Sequence, residues 1–164
     1  MAEGKQFGHF PLFVACRGRV FLVIGGGRVA LRRIRTLLNF DFSVRVVSPK
    51  ADAEILRLAE AGRLEFKNRP FSEADLEGVS FAAACTDDRE VNRLAGQLCR
   101  ARGIPVSVAD APGECDYFFP AVGFGEGVVA GVTGTGRDHA KVAQAAERVR
   151  RALNQQDGED SDER

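Results

Sequence analysis

No stretch of this 164-residue chain is apolar for long enough to cross a bilayer. The opening residues, MAEGKQFGHF, lack the apolar core of a secretory leader, so a cytoplasmic address is the expectation. An excess of either charge is missing too: Lys plus Arg and Asp plus Glu both number 23, which removes whole-molecule attraction to nucleic acid. Acidic groups crowd Asp157 to Arg164, DGEDSDER, within a stretch expected to be a disordered tail over 154–164. The remaining body is mildly basic and suits a small anionic ligand. Cysteine is sparse and scattered, at Cys16, Cys85, Cys99 and Cys115, with no CxxC pair to suggest zinc or dithiol chemistry. Cys85 and Cys99 fall in apolar patterns and read as core thiols. The histidines, His9 and His139, match neither a metal spacing nor a nucleophile triad, and no metal site is expected. No internal repeat is apparent.

What is present is an ordinary globular composition, 45% hydrophobic and 28% charged. A chain of this size buries roughly 70% of its unfolded surface, enough for one domain and a modest appendage. Val20 to Ile24 is a continuous apolar run ending at glycine, as for a strand covered on both faces. Val29, Ala30, Ile34, Leu37 and Leu38 then form a helical stripe that leaves Arg32, Arg33 and Arg35 mostly outside. The alternation continues with a strand over Val44 to Val47, a helix over Ala51 to Ala61, a weak strand over Leu64 to Lys67 and another over Val79 to Cys85. A helix over Asp88 to Arg102 follows, with Val91, Leu94, Ala95, Leu98 and Cys99 on one face, and then a strand over Pro105 to Val108. Strands separated by helices imply a doubly wound, Rossmann-type parallel sheet, an α/β fold expected over 1–112.

After Pro112 the pattern changes. YFFPAVGF and GVVAGVTG flank Gly125-Glu126-Gly127 as a hairpin, and Asp138 to Leu153 reads as an amphipathic helix with Val142, Ala145, Ala146 and Val149 together. A hairpin and one helix bury their apolar face poorly alone, so 113–153 is expected to be a dimerisation segment packing on a second copy.

Gly25-Gly26-Gly27-Arg28-Val29-Ala30 is the G-x-G-x-x-A form of the dinucleotide fingerprint, and it sits between a strand and a helix as that motif requires. Gly25 permits the turn, Gly27 lets a pyrophosphate approach the backbone, and Ala30 allows close helix packing. The free amides and dipole of the helix N-terminus favour the phosphates. One feature is absent: the second strand ends in VVSPK, without the acidic residue that usually meets the ribose of NAD. Ser48 can bond a ribose hydroxyl and Lys50 a 2′-phosphate, so these residues leave NAD and NADP both open.

Thr86 closes the fourth strand in ACTDDREVN, where a doubly wound sheet presents ligand contacts, and Thr86, Asp87 or Asp88 can equally cap the next helix. Asp110 stands at the carboxyl end of the fifth strand in VSVADAP. A carboxylate there can take a proton, orient a polar substrate or ligate a metal, or it can simply form the turn before Pro112. Arg28, Arg32, Arg89, Arg93, Arg137 and Lys141 can line an anion-binding cleft or face water. His139 opens the last helix as a solvated residue.

FPLFVACRGRVFLVIGGGRVALRR, ACTDDREVN, VSVADAP and CDYFFPA, in that order, resemble the precorrin-2 dehydrogenase family, which includes the N-terminal part of siroheme synthase. The resemblance covers nearly all of the chain through about Leu153. It implies NAD-dependent oxidation of precorrin-2 to sirohydrochlorin, on the way to siroheme. It further implies a cofactor lying across Arg28, Val29, Pro49 and Lys50, a functional aspartate at Asp110, and a homodimer formed through the segment after the nucleotide domain. The chain departs from the family pattern at Ser107, where Asn is frequent, at Asp41, where a helix-ending Gly is common, and in TGTGRDHA. The extra C-terminal helical region of many members is absent, so metal insertion into the product is expected to fall to a separate chelatase. Two alternatives stand beside this reading: a bifunctional dehydrogenase and ferrochelatase, and a nucleotide-sensing regulatory module, which usually keeps the acidic ribose ligand and lacks DAP and CDYFFPA.

Overall fold

The computed structural model describes residues 8–134 and 138–154. Two compact units emerge, one spanning Ala15–Phe118 and the other combining the N-terminal segment with the chain from Phe119 onward. The 154–164 tail, apart from Asn154, lies outside the described residues, as does Arg137.

In the larger unit, β1 (Arg19–Ile24), β2 (Phe42–Val47), β3 (Glu65–Lys67), β4 (Val79–Ala84) and β5 (Val106–Val108) form one parallel sheet in the order β3-β2-β1-β4-β5. The connections carry α1 (Arg28–Leu37), α2 (Ala53–Glu60) and α3 (Arg89–Ala101). Strand order reverses between β1 and β4, which opens a crevice beyond their carboxyl ends. Leu22, Val23, Val46, Ala83 and Val106 are all fully buried, as the apolar β-branched runs require for strands covered on both faces.

Two helical stripes differ from expectation. Arg33 lies inside, because Ala30, Arg33, Ile34 and Leu37 follow the i, i+3, i+4, i+7 spacing and form the buried face of α1. Its Nη1 donates to the Cys85 sulfur at 3.2 Å. In α3 the stripe is rotated: Asn92, Ala95, Gly96 and Cys99 are buried while Leu94 is 47% exposed. Small side chains explain the rotation, since a Cβ on Gly96 would already stand 3.2 Å from the Val108 side chain. Without a glycine at Asp41, the last turn of α1 is closed by the Asn39 side-chain amide, which donates to the carbonyls of Arg35 and Thr36.

The unit continues past β5 to Phe118 through specific bonds. The Asp116 carboxylate accepts from the Val106 amide at 2.9 Å, and the Tyr117 hydroxyl donates to the Ala82 carbonyl at 2.8 Å. Burial pushes the Tyr117 phenol well above its ordinary pKa.

The smaller unit contains the antiparallel pair β6 (Ala121–Gly125) and β7 (Val128–Val132), joined through Glu126 and Gly127, with α4 (His139–Asn154) laid on β6. Ala146 is buried and Val142 and Val149 are half-buried, whereas Ala145 faces outward. The inward stripe thus runs Val142, Ala146, Val149 and Leu153. Val129 stands opposite Phe124 in the hairpin and is 37% exposed.

A second buried charge, besides Arg33, has no local signal in the sequence. Asp75, with no exposed side-chain surface, accepts from Arg69 on both oxygens and from the Ser72 amide, with the Lys67 ammonium 3.4 Å away. Burial alone raises its pKa, but the Arg69 and Ser72 hydrogen bonds and the adjacent cations outweigh it and bring the value from 3.8 down to about 2. A depressed carboxylate stabilises the fold above its unfolded pKa and loses that contribution as pH falls through the folded value. The shift corresponds to about 2 kcal/mol, lost between about pH 4 and pH 2. Asp75→Asn is expected to lower unfolding free energy by about 3 kcal/mol at pH 7, with the difference from wild type shrinking toward pH 3, as measured by urea titration across that range.

Candidate functional site

The crevice at the strand reversal is built around the glycine turn after β1. Gly25 adopts φ +115, and a Cβ there would lie 2.7 Å from the Cys85 carbonyl. At Gly26 a Cβ would collide with the Lys50 carbonyl and the Ala51 backbone. Three backbone bonds lock the turn into its neighbours: Gly25 to the Val47 carbonyl at 2.9 Å, Asp52 to the Gly26 carbonyl at 2.8 Å, and Cys85 to the Ile24 carbonyl at 2.8 Å. Gly26, the unspecified position of the fingerprint, is therefore as constrained as Gly25. Only the contact distances after folding reveal this.

Gly27 is different, because a Cβ there meets nothing within 4 Å among the described residues. It is the N-cap of α1, has extended backbone and offers no side-chain cap. The amides of the first turn, at Arg28, Val29 and Ala30, precede the first intrahelical bond, donated by Leu31 to the Gly27 carbonyl. No acidic residue occupies that turn. Arg28 and Val29 are exposed beside it. Open space, unpaired donors and the positive end of a helix dipole together fit a diphosphate. The residues present thus fit a nicotinamide dinucleotide.

On the β2 side, the Ser48 hydroxyl donates to the Lys50 carbonyl at 2.6 Å and is largely buried, so its proton closes the turn and only its lone pairs are available to a ligand. Pro49 and Lys50 are exposed on that turn. At the end of β4, Asp88 caps α3, accepting from the Glu90 and Val91 amides. The Thr86 hydroxyl bonds the buried Asn92 side chain at 2.8 Å and the Asp88 carbonyl at 2.9 Å. Asn92 returns a bond to the Thr86 carbonyl. This ring holds the strand end against α3, a role for Asn92 that TDDREVN signals only once its partners are known.

Asp110 follows β5 on the same rim and is partly exposed, its carboxylate 3.6 Å from Arg89 Nη1. Arg89 also pairs with Glu114. Of the other basic residues, Arg93 is occupied by Glu90 and Gln97, Lys141 by Asp138, and Arg32 is exposed. Behind the site, burial raises the Cys85 thiol against the pull of Arg33, so the thiol is protonated and inert at neutral pH. Among the described residues no group of three His, Cys, Asp or Glu gathers into a metal-binding cluster, and no helix is long and apolar enough to cross a membrane.

The two glycines give opposite expected outcomes on alanine substitution. Gly27→Ala is expected to leave the thermal midpoint within about 2 °C while weakening dinucleotide binding at least about tenfold, because its methyl enters the open space. Gly26→Ala is expected to destabilise the fold by about 2 kcal/mol or more through backbone collision. Calorimetric titration with NAD and a thermal melt of each variant check the pair.

Residues 12–121 match the family model described as "Putative NAD(P)-binding". The "Probable multifunctional siroheme biosynthesis protein HemA" of Ruminiclostridium josui is 33% identical over 146 residues, which is 88% of this chain and 28% of that one. Siroheme synthase of Stutzerimonas stutzeri is 40% identical over 114 residues, 70% of this chain and 24% of the synthase. The chain thus spans about a quarter of the length of these curated relatives. Among solved structures, SirC, a precorrin-2 dehydrogenase, superposes with a TM-score of 0.75 at 25% identity, covering 89% of this chain and 72% of that one. With a Rossmann sheet, an uncapped helix start at its glycine turn and these relatives, the chain belongs to the NAD(P)-binding, precorrin-2 dehydrogenase-like family.

Proposed function

We propose that the protein oxidises precorrin-2 to sirohydrochlorin with NAD as the cofactor, acting in the cytoplasm as a homodimer. The observation that carries the reading is the open Gly27 cradle at the start of α1, on the same carboxyl-end rim as Asp110. The amides of Arg28 and Val29 would hold the diphosphate, with Ser48, Pro49, Lys50 and Thr86 on the flanking turns. NAD rather than NADP follows from the sequence resemblance alone, because Ser48 and Lys50, which stand where the acid is usual, are compatible with both. When bound, the nicotinamide supplies the hydride-accepting carbon.

The protein's share of the work is geometry and proton handling. Oxidation of the macrocycle removes a hydride and a proton, and Asp110 takes the proton on its carboxylate. Its partial exposure leaves the group open to substrate while Arg89 flanks it. The substrate's carboxylates would meet basic groups near the rim, among them Arg28 and Arg32, both exposed on α1.

Under anaerobic conditions the purified protein with precorrin-2 and NAD is expected to produce the sirohydrochlorin spectrum with matching NADH formation, and to do so more slowly with NADP. Asp110→Asn is expected to lower kcat about 100-fold with dinucleotide affinity unchanged. An unchanged rate would remove Asp110 from the chemistry.

Self-association is expected to run through the smaller unit, where the exposed Val129 shares a hairpin face with Phe124, opposite the glycines that lie under α4. Val129→Glu is expected to convert dimer to monomer in sedimentation experiments.

A further inference from the structure

Helix α3 makes an unusual grip on the turn that follows Asp110. Arg89 and Arg100 are eleven residues apart, three helical turns, and so share a face. Arg100 Nη1 donates to the Glu114 carbonyl at 2.8 Å, while Arg89 Nη2 pairs with the Glu114 carboxylate. Both ends of Glu114, in the short 3-10 turn Pro112–Glu114, are thereby tied to one helix.

The guanidinium of Arg89 is planar and forked, so fixing one nitrogen directs the other. Nη1 is buried, has no hydrogen-bond partner among the described residues and lies 3.6 Å from Asp110 Oδ1. Among the described residues it is the cation within 4 Å of that carboxylate. A buried donor left without an acceptor is disfavoured, and a small movement of Asp110 toward it would supply one.

We propose that Arg89, oriented by Glu114, is the positioning residue for Asp110: it holds the carboxylate in the direction from which it acts on the substrate. This inference rests on the proposed role of Asp110. Arg89 opens α3 directly after its Asp88 cap, and Glu114 lies 25 residues further on, so the pairing exists only through the fold. Asp110 itself belongs to a loop already immobilised by the bonds from Glu114 to Ala111 and from Asp116 to Val106. The freedom left to control is that of its side chain, and the neighbour placed to control it is Arg89.

The test uses the full chain in the anaerobic assay, with folding of each variant checked by circular dichroism and dinucleotide affinity by titration. Arg89→Gln is expected to lower kcat about tenfold with KM for NAD within about twofold of wild type. Arg89→Lys, which keeps a point charge but loses the fork that Glu114 anchors, is expected to recover only part of that loss. Arg89→Gln added to Asp110→Asn is expected to cost nothing further, because the two act as a unit. Glu114→Ala, which leaves Arg89 in place without its anchor, is expected to lower kcat in the same direction and serves if Arg89→Gln does not fold.

Wild-type kcat in Arg89→Gln, equal loss in the Gln and Lys variants, or independent losses in the double variant would overturn the inference. If Asp110→Asn is too slow for the cycle, the comparison of Gln with Lys at Arg89 decides. A fully active Asp110→Asn overturns the role of Asp110 itself, whereas an inactive Asp110→Asn with an unaffected Arg89→Gln removes the positioning role alone.

Discussion

The contact on which the site depends is backbone against backbone. The Lys50 carbonyl and the Ala51 backbone close over Gly26 so tightly that no side chain fits between them. That contact draws the turn after β2 onto the turn after β1, and the Asp52 amide seals it by donating to the Gly26 carbonyl. On the other side Gly25 lies against Cys85 at the end of β4. The glycine turn is therefore wedged between the ends of both neighbouring strands. The start of α1 is held by backbone contacts, and among the described residues nothing lies within 4 Å of a Cβ at Gly27. A cradle for an anion needs this combination, since donors that must reorganise or be uncovered would offset the favourable dipole.

Rigidity on the far side of the crevice comes from polar side chains instead. Asn92 is fully buried and bonded to the backbone and hydroxyl of Thr86, so the end of β4 and the first turns of α3 move together. Because α3 also carries Arg89 and Arg100, the same helix fixes the turn beyond Asp110. The end of β4 beside the glycine turn and the turn that follows Asp110 are thus both held to α3 by hydrogen bonds. Tyr117 extends the arrangement by anchoring the residues after the rim to β4.

How much of this could be read in advance depends on the range of the interaction. Strand and helix alternation was legible because apolar periodicity is local, and the fingerprint was legible because its glycines sit between a strand and a helix in sequence. Arg33 was legible in principle, since its spacing from Ala30 and Ile34 places it on the inner stripe, but charge was given more weight than periodicity. Leu94 was misplaced for the converse reason: a large apolar residue was given the face that Ala95 and Gly96 occupy so that α3 can approach the sheet. Asp75 was not legible, because its burial makes sense only with Arg69, Lys67 and the Ser72 amide around it. The Arg89 to Glu114 pair is of the same kind. Asp110 stood out through the resemblance, while the two residues beside it are joined by topology alone.

Glycine shows most plainly why a residue type cannot be translated into a role without its surroundings. Gly123 and Gly125 on β6 face α4, where a Cβ at Gly125 would lie 2.6 Å from the Leu153 carbonyl and one at Gly123 would lie 3.3 Å from the Leu153 side chain. This is the close approach seen at Gly26, applied to packing in the smaller unit. Gly27 is the counterexample, with nothing within 4 Å of a Cβ there among the described residues. A protein that needed glycine only for packing would fill the space before Gly27, since an unfilled concavity forgoes the dispersion contacts that neighbouring atoms would supply. An extended backbone at Gly27 tolerates any side chain, so neither strain nor collision within the chain accounts for the missing methyl. Glycine is itself a favoured N-cap there, and under the proposed function the same bareness leaves room for an occupant from outside the chain, whose negative charge the uncapped helix amides would favour.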